Sequence, residues 1–242
     1  FDNIKYIKND IESISTINEH IDICYHLAAK ARVQPSFDDP VDYFRVNVKG
    51  TMKVMEWAKK NNVKVVYAGS SSKHFSPEDS PYAMYKYLGE QICKLYKKSY
   101  NLKVEIARFY NVYGPRENRD EKFGNVIGIW RVKANKGLSV PIVGDGEQRR
   151  DFTHVYDIVD GLIQSSKHSF SGSIFELGTG VNYSINELAR MFGEKYPIEY
   201  IPKRDGEMLT TLCDISEAKE KINYNPTQDL ESYVNKWIQE NL

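Results

Sequence analysis

Val63-Lys64-Val65-Val66-Tyr67-Ala68-Gly69-Ser70-Ser71-Ser72, followed after a short turn by Pro81-Tyr82-Ala83-Met84-Tyr85-Lys86, decides how the rest of the chain is read. The first half is a nearly all-apolar, β-branched run closed by glycine, which predicts a strand over Val63–Ala68 buried on both faces of a parallel sheet. Serines directly after such a strand stand at its carboxyl end, where open α/β sheets bind ligands. A serine cluster is equally a capping turn, and both readings are open at this point. In the second half Tyr82 and Lys86 are four places apart, so on a helix over Tyr82–Tyr100 they share a face. A nearby ammonium favours the phenolate, which makes the phenol a usable base. In a chain with 17 tyrosines such a pair means little alone; its place straight after strand and serines is what gives it weight.

Working outward, Ile21–Leu27, Val104–Tyr110 and Ser173–Leu177 repeat the short Val/Ile/Tyr/Phe-rich pattern and alternate with stretches of helical period. That alternation predicts an α/β, doubly wound parallel sheet. Between the first two strands, Asp39–Asn61 has Pro40 near its start and Val41, Phe44, Val48, Met52 and Met55 at helical spacing, with a second apolar series at Tyr43, Val54 and Trp57. A helix apolar on two sides has one face for the core and one for a partner. Tyr82–Tyr100, with Leu88, Ile92, Leu95 and Tyr96, reads the same way, so a homodimer through the 40–60 and 82–100 helices is expected. Beyond Gly114 the texture turns to loops and short helices at Ser184–Phe192, Ile215–Ile222 and Asp229–Glu240, which predicts a smaller α/β lobe.

The totals exclude several classes. With 41% hydrophobic and 27% charged residues over 242 positions the chain is an ordinary globular protein, and Lys+Arg equal Asp+Glu at 33 each. A net charge of zero provides no general attraction to nucleic acid or anionic lipid. No apolar run approaches the ~20 residues of a membrane span. Cys24, Cys93 and Cys213 are odd in number and far apart, which argues for reduced thiols, a cytoplasmic setting and no metal site.

The ordered set of motifs resembles the extended short-chain dehydrogenase/reductase family of NAD-dependent sugar-nucleotide epimerases and dehydratases. The matching stretches are His26-Leu27-Ala28-Ala29, Asn47-Val48-Lys49-Gly50-Thr51, Ser70-Ser71-Ser72, Pro81 to Lys86, Arg108-Phe109-Tyr110-Asn111-Val112-Tyr113-Gly114-Pro115, Gly144 to Phe152, Phe175 to Gly180 and Arg204 to Glu207. The resemblance implies a Rossmann-like domain over 1–114 and 151–178, and a sugar-nucleotide lobe over 115–150 and 179–242. It implies NAD as cofactor and a UDP-sugar as substrate, with Tyr82 as acid/base, Lys86 holding the nicotinamide ribose and lowering the phenol's pKa, and Ser72 bonding the sugar hydroxyl. Asp10, Ile11, Leu27, Ala28, Ala29, Asn47, Ser70 and Tyr110, with Tyr82 and Lys86, would line the cofactor. Asn111, Asn125, Val126, Val143, Arg150, Arg204 and Thr211, with Ser72, would line the substrate, the two arginines gripping the diphosphate and Thr211 gating the sugar 2-substituent.

The family opens with a strand and a glycine-rich turn that meets the cofactor pyrophosphate. This sequence has no such element, so the sheet is expected without its first strands, and roughly 50 further residues, a strand-helix-strand's length, are expected ahead of Phe1. The turn between Ser72 and Tyr82 is also shorter than in relatives, and His74 within it reads first as a surface residue, with a proton relay as the alternative. Relatives that eliminate or decarboxylate carry an acidic residue directly after the catalytic Ser/Thr; here Lys73 and His74 follow. The implied reaction is therefore 4-epimerisation of a UDP-hexose through a 4-keto intermediate. The rivals are a dehydratase, decarboxylase or reductase of the same family and, from another class, a non-catalytic binding or scaffold protein.

Overall fold

The structure is a computed structural model and describes residues 3–74, 76–193, 196–204 and 206–241. Asp205, within the 204–207 motif, lies outside the described residues. In chain order the strands are β1 (Ile23–His26), β2 (Lys64–Ser70), β3 (Val104–Phe109), β4 (Val112–Tyr113), β5 (Val140–Val143), β6 (Arg149–Asp151), β7 (Thr153–His154), β8 (Ser171–Leu177), β9 (Asn182–Ser184) and β10 (Ile198–Ile201). The helices are α1 (Gln34–Asp38), α2 (Pro40–Phe44), α3 (Thr51–Asn61), α4 (Pro81–Tyr100), α5 (Val126–Asn135), α6 (Val155–Lys167), α7 (Ile185–Phe192), α8 (Ser216–Ile222) and α9 (Leu230–Asn241).

Strands β1, β2, β3 and β8 form one sheet in that order, every neighbouring pair parallel. They are the four runs predicted from the sequence, and the α/β parallel architecture stands as expected. Side chains alternate across β2, so its two faces serve two cores. Val65 and Tyr67 pack with Met55, Trp57 and Ala58 of α3 and Cys93 and Tyr96 of α4. Val66 faces the other way, with Ile158 and Leu162 of α6, Phe175 and Leu177 of β8, and Ala218, Ile222 and Tyr224. A third cluster, centred on Trp130, Ile142, Leu188, Phe192, Val234 and Trp237, is built from α5, β5, α7 and α9. The short pairs β5–β10, β4–β7 and β6–β9 complete the chain.

The helix expected over Asp39–Asn61 is interrupted. Asp39 caps α2 by accepting from Asp42 N, and a π turn over Arg45–Gly50 joins α2 to α3. Of the two apolar series on this segment, Tyr43, Val54 and Trp57 are all buried, whereas the other divides: Val48 and Met55 are buried and Val41, Phe44 and Met52 remain exposed.

Helix α4 is the element that positions the site. Ser80 caps it, its Oγ accepting the Ala83 amide at 3.1 Å, and Pro81 occupies the first turn, where its missing N–H costs nothing. Asn101, at φ 51°, ends the helix in the left-handed region. Helical spacing then stacks Tyr82, Lys86 and Glu90 on successive turns. α4 lies so close to β2 that a Cβ at Gly89 would overlap the Tyr67 hydroxyl, and Tyr67 is itself buried. Gly89→Ala is therefore expected to destabilise the fold, because overpacking costs about 1–3 kcal/mol against a helix-propensity gain of about 1 kcal/mol. A urea midpoint equal to or above that of the unaltered protein would show that Tyr67 can move aside.

Candidate active site

Tyr82 stands in the first turn of α4 at the carboxyl end of β2, where the sheet topology places a ligand crevice. Its hydroxyl lies 3.2 Å from Ser70 Oγ, and Ser70 Oγ also accepts the Ser72 amide at 3.1 Å. The Tyr82 amide donates to Ser36 Oγ at 3.1 Å, which fastens this turn to the loop after β1. The structure thus brings Ser70 against the phenol; Ser72, expected to be the catalytic hydroxyl, is buried and meets the pair through its backbone.

One turn on, Lys86 is 5% exposed. Its ammonium donates to the Ala68 carbonyl and sits 4.7 Å from the centre of the Tyr67 ring. Burial brings its pKa down to about 8, against the opposing pull of Glu90. Tyr82 does not show the expected depression. Burial holds its phenol above the ordinary value, offset in part by the Ser70 hydrogen bond and then by the charge of Arg32. Burial is the largest cause, and the cation that reaches Tyr82 electrostatically is Arg32, whose position in the fold no motif announced, while the Lys86 ammonium donates to a backbone carbonyl.

Behind this pair lies a cluster that the sequence reading did not assemble. Gly69, Arg108 and Glu176 are in register on β2, β3 and β8. Arg108 binds Glu90 through Nε at 2.9 Å and Nη2 at 2.6 Å, and Glu176 through Nη1 at 2.8 Å. Glu176 also holds Lys73 and accepts from the Tyr110 hydroxyl, and His74 Nε2 lies 2.9 Å from that hydroxyl. Tyr110 gives its one proton to Glu176, so His74 must donate from Nε2, which sets its tautomer. His74 is accordingly half-buried and bonded, not the solvated surface residue expected. The 71–74 turn is therefore tied down through two successive side chains. Only strand register could have revealed this, since the residues come from three elements far apart in sequence.

The remaining expected residues divide by what they touch. Asn47 makes a two-sided clamp on the loop after β1, accepting Lys30 N at 2.8 Å and donating to Lys30 O at 2.9 Å. Asp10 caps the 3-10 turn Ile11–Thr16 and pairs with Arg45 at 3.1 Å, and the Ile11 side chain packs over Gly50. Leu27, Ala28 and Ala29 are exposed at the carboxyl end of β1. On the other lobe, Asn111 donates to Asp151 O at 3.2 Å. Asn125 caps α5 through Gly128 N at 2.6 Å, Val126 opens that helix, and Val143 ends β5, both half-buried. Arg150 pairs with Glu207 at 3.0 Å, Arg204 is exposed, and Thr211 is buried, its hydroxyl without a partner among the described residues. Asp151 was read only as part of a motif, yet its buried carboxylate gathers Thr179 N, Gly180 N and Cys213 N at 2.9, 2.9 and 3.2 Å, which joins β6 to the turn after β8.

A dinucleotide cofactor suits this donor set. Lys86 has three N–H donors, and Ala68 O is its one hydrogen-bond acceptor among the described residues, so a buried ammonium has donors left for a ribose diol. Leu27, half exposed at a strand end, offers an apolar floor. Among the described residues no helix is long and apolar enough to cross a membrane, and no cluster of His, Cys, Asp or Glu could hold a metal ion.

A parallel sheet flanked by helices, with serine, tyrosine and lysine gathered at the carboxyl end of a central strand, defines a Rossmann-type nicotinamide enzyme of the short-chain dehydrogenase/reductase class. Comparison with known proteins narrows this. The description of the NAD dependent epimerase/dehydratase family matches residues 7–178, and the chain belongs to that family. It is 32% identical over 268 residues to a UDP-glucuronate 4-epimerase of Thermodesulfobacterium geofontis, covering 100% of this chain and 81% of the relative. Pal from Bacillus thuringiensis superimposes with a TM-score of 0.90 at 30% identity, covering 97% of this chain and 82% of Pal. A UDP-glucuronic acid 4-epimerase from Bacillus cereus, in complex with UDP-glucuronic acid and NAD, does so with a TM-score of 0.83 at 26% identity, covering 96% and 79%. The protein is thus an enzyme of the NAD-dependent nucleotide-sugar epimerase/dehydratase class, as the motifs implied, and NAD is its cofactor.

Proposed function

We propose that the chain is a 4-epimerase of a UDP-hexose, working through a 4-keto sugar. The observation that carries the reading is the Tyr82 phenol bonded to Ser70 at the end of β2 with Lys86 one turn away. NAD, when bound, supplies the acceptor and donor of the sugar C4 hydride. The chain's own residues handle the proton. Ser70, its Oγ oriented by the Ser72 amide, holds the sugar hydroxyl beside the phenol, and Tyr82 takes the hydroxyl proton and later returns it. Lys86 offers its spare N–H donors to the cofactor ribose. Arg150 and Arg204 take the diphosphate, and exchange of Glu207 for phosphate oxygens would keep Arg150 paired throughout.

Elimination would need a second acid or base beside the ring. The carboxylate reached from the 71–74 turn, Glu176, is already committed to Lys73, Arg108 and Tyr110, which supports epimerisation over dehydration. The test is product analysis by NMR after incubation with UDP, GDP and dTDP sugars. Inversion at C4 with mass unchanged is expected, and loss of water or of CO2 would overturn the reading.

The reading includes the two-lobe division given above and a homodimer. Val41, Phe44 and Met52 beside α2 and α3, and Tyr87 and Leu95 on α4, are exposed, and the Phe44 ring packs edge-on against Tyr85 at 5.7 Å, which joins the two helices' outer faces. A charge at the centre of such a face opposes its burial. Phe44→Asp is expected to shift the protein from dimer to monomer in sedimentation velocity. A monomer before substitution would dispose of the idea.

A further inference from the structure

The residue that neither the motifs nor the mechanism above accounts for is Arg32, in the loop between β1 and α1. It adopts φ 84°, a left-handed conformation that costs a non-glycine residue about 1 kcal/mol or more. The surroundings impose it. On one side the Tyr43 hydroxyl donates to Ala31 O at 2.6 Å; on the other Ser36 Oγ donates to Val33 O at 2.5 Å and accepts the Tyr82 amide. Arg32 Nε donates at 2.9 Å to Phe123 O, in the loop that leads into α5. The guanidinium therefore reaches from the sheet side of the molecule to the loop before α5, next to the turn that holds Tyr82.

Arg32 forms no ion pair among the described residues. The charged and titratable groups that it senses are Tyr82, Tyr43 and Glu117. Glu117 is committed to Arg131 at 2.7 Å and to Asn125 at 3.2 Å. The phenols are no counter-ion, since burial keeps both Tyr82 and Tyr43 protonated at neutral pH. A half-buried guanidinium with no anion beside it among the described residues is costly, and its Nη pair has the fork geometry that matches a carboxylate.

We propose that Arg32 receives a carboxylate carried on the sugar ring, so that the substrate class of this site is a nucleotide-linked uronic acid. This rests on reading the cleft as a nucleotide-sugar site. The diphosphate has cations of its own in Arg150 and Arg204 on the other lobe, whereas the loop of Arg32 is fastened through Ser36 to the backbone of the acid/base tyrosine, where the sugar ring would sit.

The test is calorimetric binding of UDP, UDP-glucose and UDP-glucuronate to the NAD-loaded Tyr82→Phe protein, in which turnover is slowed by about 10²- to 10⁴-fold. UDP-glucuronate should bind roughly 10- to 100-fold more tightly than UDP-glucose, the range for hydrogen bonds to a charged group. Arg32→Gly removes the guanidinium and suits the left-handed backbone, so it should keep the melting temperature and the UDP-glucose affinity while losing the preference. Arg32→Lys, with charge but no fork, should keep part of it. Equal binding of the two sugars, or equal loss of UDP, UDP-glucose and UDP-glucuronate in Arg32→Gly as expected of a diphosphate ligand, overturns the proposal and leaves the nucleotide-sugar reading intact. Failure of UDP itself to bind removes both.

Discussion

Tyr82→Phe is expected to lower turnover of the sugar nucleotide by about 10²- to 10⁴-fold, the range that a positioned acid/base contributes, while the protein stays folded. The loss should be so large because, among the described residues, the Tyr82 phenol is the one acid or base side chain bonded to the Ser70 hydroxyl. The fold should survive because Ser70 Oγ still accepts the Ser72 amide at 3.1 Å, and the ring keeps its place in the first turn of α4. The pH profile of the unaltered enzyme adds a second check. Burial holds Tyr82 above its ordinary pKa, so the phenolate is the minor form at neutral pH and grows roughly tenfold per pH unit. Lys86, brought down to about 8, loses its proton over the upper part of that range. Together these predict a kcat/KM that climbs from mildly acidic pH and turns over near 8, with the turnover abolished in Lys86→Met. Stability follows the same sign. A phenol whose folded pKa is raised contributes stability below its unfolded value that is lost as pH rises through the folded one, so Tyr82→Phe should be the less alkali-sensitive protein. Turnover within threefold of the starting enzyme, measured by NMR, would remove Tyr82 from the mechanism.

What could be read in the sequence was whatever a single element displays. The strands were legible because β2 is buried over nearly its whole length and β3 over its first four residues, and β8 keeps Ile174, Phe175 and Leu177 as a short apolar run, and Tyr82, Lys86 and the serines because a motif fixes their order. Properties that depend on several elements were not legible. Lys86 could be named, but not its use of Ala68 O, nor the burial of Tyr82 that holds the phenol above its ordinary value. Asn47 and Asp10 were recognised, but the structure shows a loop clamp and a helix cap, roles in which the side chain answers backbone groups on its own or a neighbouring segment. Arg32 left no signal, because a left-handed arginine looks like any other in a sequence. Nor did the Arg108, Glu90 and Glu176 cluster, whose members meet only through sheet register and the rise of α4.

Removing the centre of that cluster should be the most damaging change to stability. In Arg108→Met, two carboxylates whose side chains are 7% and 12% exposed lose a guanidinium that is 15% exposed. Breaking a buried ion pair from one side costs about 3–5 kcal/mol, which for a chain of this size lowers the melting temperature by about 10 °C. Glu90 would lose both hydrogen-bond donors that Arg108 provides. The pH dependence identifies the cause. Burial pushes Glu176 up, but Lys73, Tyr110 and Arg108 together outweigh it and leave its carboxyl below the ordinary value. A depressed folded pKa contributes stability above the unfolded value, lost as pH falls through the folded one. Without Arg108 part of that depression disappears, so the variant has less stability to lose on acidification, and its deficit should be greatest at neutral pH and shrink towards pH 4. A deficit constant across that range would mean that lost packing, not lost charge, is responsible. Function should follow, because Glu176 holds Lys73 directly and His74 through Tyr110. With Arg108 gone the anchor of the 71–74 turn is weaker, and Ser70, which meets both that turn and the phenol, becomes less well placed. Arg108→Met is thus expected to lower kcat at temperatures far below its unfolding transition, while Arg108→Lys, which keeps the charge but not the fork to both carboxylates, recovers part of the stability and less of the rate.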